Sequence, residues 1–265
     1  MKTQSDRPVI LVTNDDGVGA KGLQAMIEAV RGLGDVLVVA PDGARSGQSG
    51  AISPEKALYL HKVSEEEGLT VYQCNGTPVD CVKLAMHTLL PEAPALLASG
   101  INHGSNASVS VLYSGTMGAA IEGCILGIPS VGFSLCSHEA DADFTNAVAV
   151  ARSISADVLE KGLKPNICLN VNVPDVKSLA GRRVCRQASG RWVEEFERRE
   201  GHDADAHFLT GYFHNAEPHA EDTDEWALAH GFVSVVPVKI DMTAHEELTH
   251  YSYLEQTETN DTEGV

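Results

Sequence analysis

Residues 8–43 read PVILVTNDDGVGAKGLQAMIEAVRGLGDVLVVAPDG. Residues 8–13 form a short apolar run closed by the turn signal Asn14-Asp15-Asp16-Gly17, which predicts a buried strand. Residues 21–31 place Leu23, Met26, Ile27 and Val30 at helical spacing. Residues 35–40 are a second apolar run, closed by Pro41-Asp42-Gly43. Strand, helix and strand over so short a length make a βαβ unit, which requires a parallel sheet and a right-handed crossover.

The alternation continues outward. Residues 79–90 predict a helix, 95–98 a short strand ending in Ser99-Gly100, and 114–127 a helix rich in small residues. Residues 129–135 predict a strand, 140–160 a long helix, and 165–173 another strand. This is an α/β chain: a three-layer, Rossmann-like, doubly wound and mostly parallel sheet. The pattern weakens after about residue 190, so the expected division is 7–190 as the α/β domain and 191–265 as a C-terminal extension. Within that extension the histidines His202, His207, His214 and His219 are irregularly spaced among charges, and an arm or long hairpin is expected. Residues 231–239 recover a strand, and the acidic end from Gln256 to Val265 is expected to fray.

Composition narrows the function. The 265 residues are 43% hydrophobic and 21% charged, which is ordinary for a globular protein and long enough for a core without disulfides. Acidic residues number 37 against 19 basic ones, a net charge of −18, so a nucleic-acid polymer or an anionic membrane is not an expected partner. The chain shows no signal peptide and no apolar run of spanning length. Its 6 cysteines are scattered without a C-x-x-C pair, which predicts free thiols in a reducing cytoplasm.

Gly17, Gly19 and Gly22 spell G-x-G-x-x-G between strand and helix, with Asp42 following at the second strand's end. That pattern is shared with dinucleotide-binding turns. Asp15 and Asp16 argue against it, because two carboxylates beside a pyrophosphate repel it unless a cation intervenes. A dehydrogenase is therefore the lesser reading.

Adjacent aspartates at a strand end converge only if the chain leaves extended geometry, as Gly17 permits. Carboxyl ends of parallel strands line the ligand crevice of open α/β sheets. The pair could hold a hard divalent ion such as Mg²⁺ or Mn²⁺. It could equally be a turn whose carboxylates cap the next helix. Four further segments favour the first: Arg45–Ser49 and Ser99–Asn106, which follow strands, and Gly76-Thr77-Pro78 and Tyr113–Thr116, which open helices, bring small polar groups toward one crevice, with helix N-termini facing an oxyanion.

These segments resemble the stationary-phase survival protein SurE family. The resemblance spans about Val9 to Pro174. It is carried by T-N-D-D-G at 13–17, A-P-D-x-x-R-S-G at 40–47, N-G-T-P-V-D-C-V at 75–82, S-G-I-N-H-G-x-N at 99–106 and Y-S-G-T-M-G-A-A-x-E-G at 113–123. A weaker echo runs through Leu169–Pro174, Thr223-Asp224 and Gly231–Pro237.

The resemblance implies a metal-dependent phosphatase of nucleoside monophosphates, possessing 5′- or 3′-nucleotidase activity and in some members acting on polyphosphate. It implies one divalent ion per subunit on Asp15, Asp16, Ser46 and Asn102, and phosphate near Asn102, Asn106, Ser114, Gly115 and Thr116. Asp15, Asp16, Asn102 and Ser114 become the catalytic candidates. A homodimer or homotetramer that exchanges C-terminal segments is also implied. Two positions depart from the pattern: Ser110 stands where the family often has aspartate, and Lys21 where it often has proline, which would put a cation near the crevice mouth.

The expected chemistry is metal-assisted phosphomonoester hydrolysis, with in-line attack by water and with Ser114, Thr116 and nearby N–H groups on the other oxygens. A phospho-aspartate route ranks lower, since both aspartates are assigned to the metal. A nucleotide or phosphate sensor without turnover would share the same ligands. His103, inside the metal loop, is expected as a neutral hydrogen-bonding residue at the rim. Glu122 is expected as a buried structural carboxylate. His245-Glu246-Glu247 is not H-E-x-x-H, and Ser114 lacks the G-x-S-x-G elbow.

Overall fold

A computed structural model describes residues 7–199 and 206–255. His202 and the tail Gln256–Val265 lie outside these.

The opening unit forms as its pattern dictates: β1 (Val9–Thr13), α1 (Lys21–Val30) and β2 (Asp35–Pro41), with β1 and β2 parallel. The next two elements, β3 (Leu60–Glu66) and β4 (Leu69–Cys74), are antiparallel and were not legible as strands. β3 sits at the sheet edge with nearly every residue exposed, so it lacks the apolar run that marks a buried strand. α2 (Pro78–Leu84) begins at a capping box: Thr77 Oγ1 accepts from Asp80 N–H, and Asp80 accepts from Thr77 N–H, with Pro78 in the first turn. Its last residues wind into a π-helical turn over Ala85–Leu89, so the expected helix over 79–90 is two segments.

β5 (Leu96–His103) is longer than expected. It runs through Ser99-Gly100 instead of ending there, and its register against β6 (Ser130–Cys136) shifts between Ser99 and Asn102. Such an irregularity re-aims the side chains beyond it. Between them α3 (Gly115–Ile125) starts at Ser114. α4 (Thr145–Lys161) starts five residues later than expected, and β7 (Ile167–Pro174) follows.

The rest of the chain is β8 (Gly181–Val184), β9 (Gly190–Val193), β10 (Phe196–Arg198), β11 (His207–Leu209), β12 (Tyr212–Asn215), α5 (Asp224–Ala229) and β13 (Phe232–Lys239). Two small antiparallel pairs, β9 with β12 and β10 with β11, make the arm expected after residue 190. β13 returns to the main sheet between β7 and β8, so residues beyond 190 supply both arm and sheet.

The main sheet has the order β3-β4-β2-β1-β5-β6-β7-β13-β8 and is parallel except at β3–β4 and β7–β13. α1 and α4 cover one face over a core that includes Val12, Met26, Ile101 and Phe133; α2 and α3 cover the other over Leu11, Leu97 and Ala119. Strand order reverses at β1, with β2 on one side and β5 on the other. The crevice beyond the carboxyl ends of β1 and β5 is thus the topological switch point.

Gly22 sits where α1 crosses β5. A Cβ there would overlap the Ile101 carbonyl oxygen, whereas one at Gly19 would meet nothing within 4 Å. The G-x-G-x-x-G spelling at 17–22 therefore includes a helix–strand packing requirement.

Candidate active site

The switch-point crevice is a cavity of about 490 Å³ lined by Asp15, Asp16, Ser46, Asn102, Asn106 and Ser114. They come from four separate stretches of sequence and meet here because β1, β2 and β5 end, and α3 begins, on one side of the sheet.

Asp15 is 4% exposed. Its Oδ1 accepts from Thr116 Oγ1 at 2.5 Å. Gly115 is in place because the carboxylate fills the space a side chain would need: a Cβ there would lie 2.9 Å from Asp15 Oδ2. Burial pushes the Asp15 carboxyl up to about 6, with the Asp16 charge adding to it and the Thr116 hydroxyl opposing it. Asp16 is raised by burial as well, against a hydrogen bond from His103 N–H at 3.4 Å. Neither aspartate caps α1, whose N-terminal residue Ala20 has no side-chain cap, so the helix-capping alternative fails.

Ser46 is exposed on the loop after β2. That loop is tied down by Arg45 N–H donating to Asp15 O at 2.6 Å, and by Ser49 Oγ donating to Leu112 O at 2.6 Å. The side-chain amide of Asn102 donates to Gly104 O at 2.8 Å, which turns its own oxygen toward ligation. Asn106 is held from three sides. Its N–H donates to Asn172 Oδ1 at 2.8 Å, its Nδ2 to Ser134 Oγ at 2.9 Å, and its carbonyl accepts from Asn170 Nδ2 at 2.8 Å. Ser114 is the N-cap of α3, accepting from Met117 N–H at 3.0 Å, so its hydroxyl proton stays free for another acceptor.

A buried and a half-buried carboxylate without a lysine or arginine partner among the described residues, flanked by an amide oxygen and a hydroxyl, form an all-oxygen donor set. Such a set fits a hard divalent cation, which would relieve the desolvation that raises both carboxyls. Thr116 is fully buried and its hydroxyl is committed to Asp15, so it reaches a phosphate only through its backbone.

Several sequence expectations need correction. Gly76-Thr77-Pro78 does not line the cavity: Thr77 is buried, capping α2 and donating to Ala51 O. Lys21 is not at the crevice mouth: its Nζ donates to Ala142 O at 2.8 Å and lies over the Phe144 ring in a separate groove between α1 and α4. His103 does line the cavity, edge-on to Phe144, but its Nε2 is buried without a hydrogen-bond partner. Ser110 also lines it. Glu122 is the buried structural carboxylate expected, paired with Lys83 at 2.6 Å. His207, His214 and His219 are exposed and away from the cavity, and all six cysteines are free.

The sequence reading missed the opposite wall. Trp192, Glu195, Leu209, Thr210 and Gly211, all from the arm, line it beside Tyr113 of the segment that opens α3. The one available signal was Trp192, a large aromatic side chain in a charged stretch. Asn170 and Asn172 were also missed, although asparagines two apart in a buried strand must share a face and need partners there.

Residues 10–194 match the family model described as Survival protein SurE. A protein named 5′-nucleotidase SurE from Phocaeicola vulgatus is 56% identical over 243 residues, covering 91% of this chain and 95% of that one. Its namesake from Bacteroides thetaiotaomicron is 48% identical over 252 residues, covering 94% and 97%. The crystal structure of the SurE protein from Aquifex aeolicus superposes with a TM-score of 0.80 at 34% identity, over 94% of this chain and 100% of that one. No helix among the described residues is long and apolar enough to cross a membrane.

Proposed function

The chain belongs to the SurE family, and from that premise we propose that it is a divalent-metal-dependent 5′-nucleotidase, releasing phosphate from nucleoside monophosphates. The observation that carries the reading is the meeting of Asp15, Asp16, Ser46, Asn102, Asn106 and Ser114 in one cavity at the switch point.

Asp15, Asp16, Ser46 and Asn102 would hold one Mg²⁺ or Mn²⁺. Bound there, the ion would supply Lewis-acid neutralisation of charge on the phosphoryl oxygens. Two carboxylates cancel its charge and the other two donors add none. The site is then close to neutral and admits a phosphate dianion despite the net charge of −18.

The chain's own groups do the rest. Ser114 Oγ accepts from Met117 N–H and its hydroxyl donates a hydrogen bond to a phosphate oxygen. The N-terminus of α3 directs its dipole at the same point. Asn106, immobilised by Asn172, Asn170 and Ser134, offers its remaining amide capacity without reorganisation. A phosphate held this way leaves one direction open for in-line attack by water. Assembly as a homodimer or homotetramer belongs to the same reading. It is supported by the exposed apolar side chains Phe196 and Tyr212 on the arm.

The test is phosphate release by chelator-treated protein from a panel of nucleoside 5′- and 3′-monophosphates, with Mg²⁺, Mn²⁺ or no metal restored. Release that requires metal and favours 5′-esters is expected. Binding without release under every metal would replace the enzyme with a sensor.

A further inference from the structure

The cavity has two chemically different walls. One is the oxygen-rich set around Asp15. The other carries Tyr113, Trp192 and Leu209, which are 57%, 37% and 73% exposed, together with Glu195. Phosphate chemistry has no use for an apolar wall, whereas an indole beside a polar pocket offers a face on which a planar ring can stack.

The wall is built to stay in place. Trp192 lies opposite Phe213 in the β9–β12 register, and Gly190 lacks a side chain where the Phe213 ring packs. Thr210 N–H donates to Glu195 O at 2.8 Å, fixing the chain at the rim. The base of the arm is joined to the phosphate loop through one buried carboxylate: Asp224 accepts from Ala188 N–H and from Ser108 N–H, each at 2.8 Å.

The Glu195 carboxylate makes no ion pair or hydrogen bond among the described residues. An unpaired anion would repel a substrate's phosphate. It suits a neutral group that brings N–H donors to the far end of the cavity.

We propose that Tyr113, Trp192, Leu209 and Glu195 form a nucleobase subsite in which Trp192 stacks on the base and Glu195 selects guanine. The proposal rests on the nucleotidase reading and adds the substrate class. Guanine presents N1–H and the 2-amino group side by side, which a carboxylate accepts with both oxygens. Hypoxanthine offers N1–H alone. Adenine and cytosine set a ring-nitrogen acceptor beside their amino group, and that lone pair faces the carboxylate unfavourably. The resulting order is guanosine, then inosine, then adenosine monophosphate.

The experiment compares kcat/KM for these three nucleotides and for ribose 5-phosphate, which has no base, in wild type, Trp192→Ala and Glu195→Gln. Trp192→Ala is expected to lower all three nucleotides about tenfold relative to ribose 5-phosphate, the scale of one lost stacking contact. Glu195→Gln is expected to lower the guanosine-to-adenosine ratio about tenfold, since a glutamine also satisfies adenine. A misfolded variant would lose ribose 5-phosphate turnover in parallel, so the ratios isolate the subsite. Unchanged ratios in both variants overturn the proposal. If wild type turns over none of the four, the nucleotidase reading falls, and quenching of tryptophan fluorescence by guanosine monophosphate decides the subsite. Quenching stronger than with adenosine monophosphate, and abolished in Trp192→Phe, supports it; equal or absent quenching overturns it.

Discussion

Thr116 Oγ1 donates to Asp15 Oδ1 at 2.5 Å, linking the first turn of α3 to the carboxylate at the end of β1. Both groups are buried, so this bond fixes which way Asp15 faces. Thr116→Val keeps the shape and removes the donor. Outer-shell changes of this kind cost roughly 10–100-fold in metal affinity. A Mn²⁺ titration of phosphate release should show the midpoint moving up by that factor, and an unmoved midpoint would remove Thr116 from any role in orienting Asp15.

Asp224 is 1% exposed and joins Ser108 to Ala188. Asp224→Ala leaves the buried N–H groups of Ser108 and Ala188 without acceptors, at about 1–3 kcal/mol each, and removes a third bond from Glu225 N–H. Urea denaturation should register a loss of roughly 2–5 kcal/mol. Asp224→Asn keeps one oxygen acceptor and should lose less.

Glu225 follows it in α5, and its carboxyl is pushed up to about 7 by burial and then by the charge of Asp224. A raised carboxyl binds its proton more tightly in the folded chain than in the unfolded one. Its contribution is therefore fully present below the unfolded value near 4.5 and is lost as pH rises through about 7. Glu225→Gln should stabilise the protein by about 1–2 kcal/mol at pH 8, less than the full shift implies because the side chain keeps part of its water. At pH 4 the two proteins should melt together. A variant no more stable at pH 8 would show that Glu225 is solvated.

Gly22 and Gly19 separate two meanings of one spelling. Gly22→Ala must push α1 off the Ile101 carbonyl and should cost about 1–3 kcal/mol in thermal denaturation. Gly19→Ala meets open space and should be tolerated in both stability and phosphate release. A dinucleotide turn would make the same packing demand on its third glycine but would also need the second, which admits the pyrophosphate, so the tolerance of Gly19→Ala is what separates the two.

The sequence made β1, α1 and β2 legible because both faces of those strands are buried, and buried runs announce themselves. It hid β3, whose exposed edge carries no apolar pattern. It also hid the end of β5, where Ser99-Gly100 looks like a turn while the strand continues to His103. The polar wall of the cavity was readable because several short motifs of aspartate, asparagine, serine and glycine, each at a strand or helix end, together resemble one family's pattern. Its apolar wall was not, since Trp192 and Leu209 reach the cavity only through a hairpin whose pairing depends on residues about twenty apart. Lys21 shows the converse limit: adjacency in sequence to Asp15 and Asp16 did not put it in the same cavity.

The most direct test of the account is phosphate release from guanosine 5′-monophosphate by chelator-treated wild type, Asp15→Asn and Asp16→Asn, each with and without Mn²⁺. The account predicts release by wild type only when Mn²⁺ is restored, and a loss of at least about a hundredfold in both variants at saturating metal. Metal-independent release by wild type, or near wild-type turnover in both variants, would contradict it.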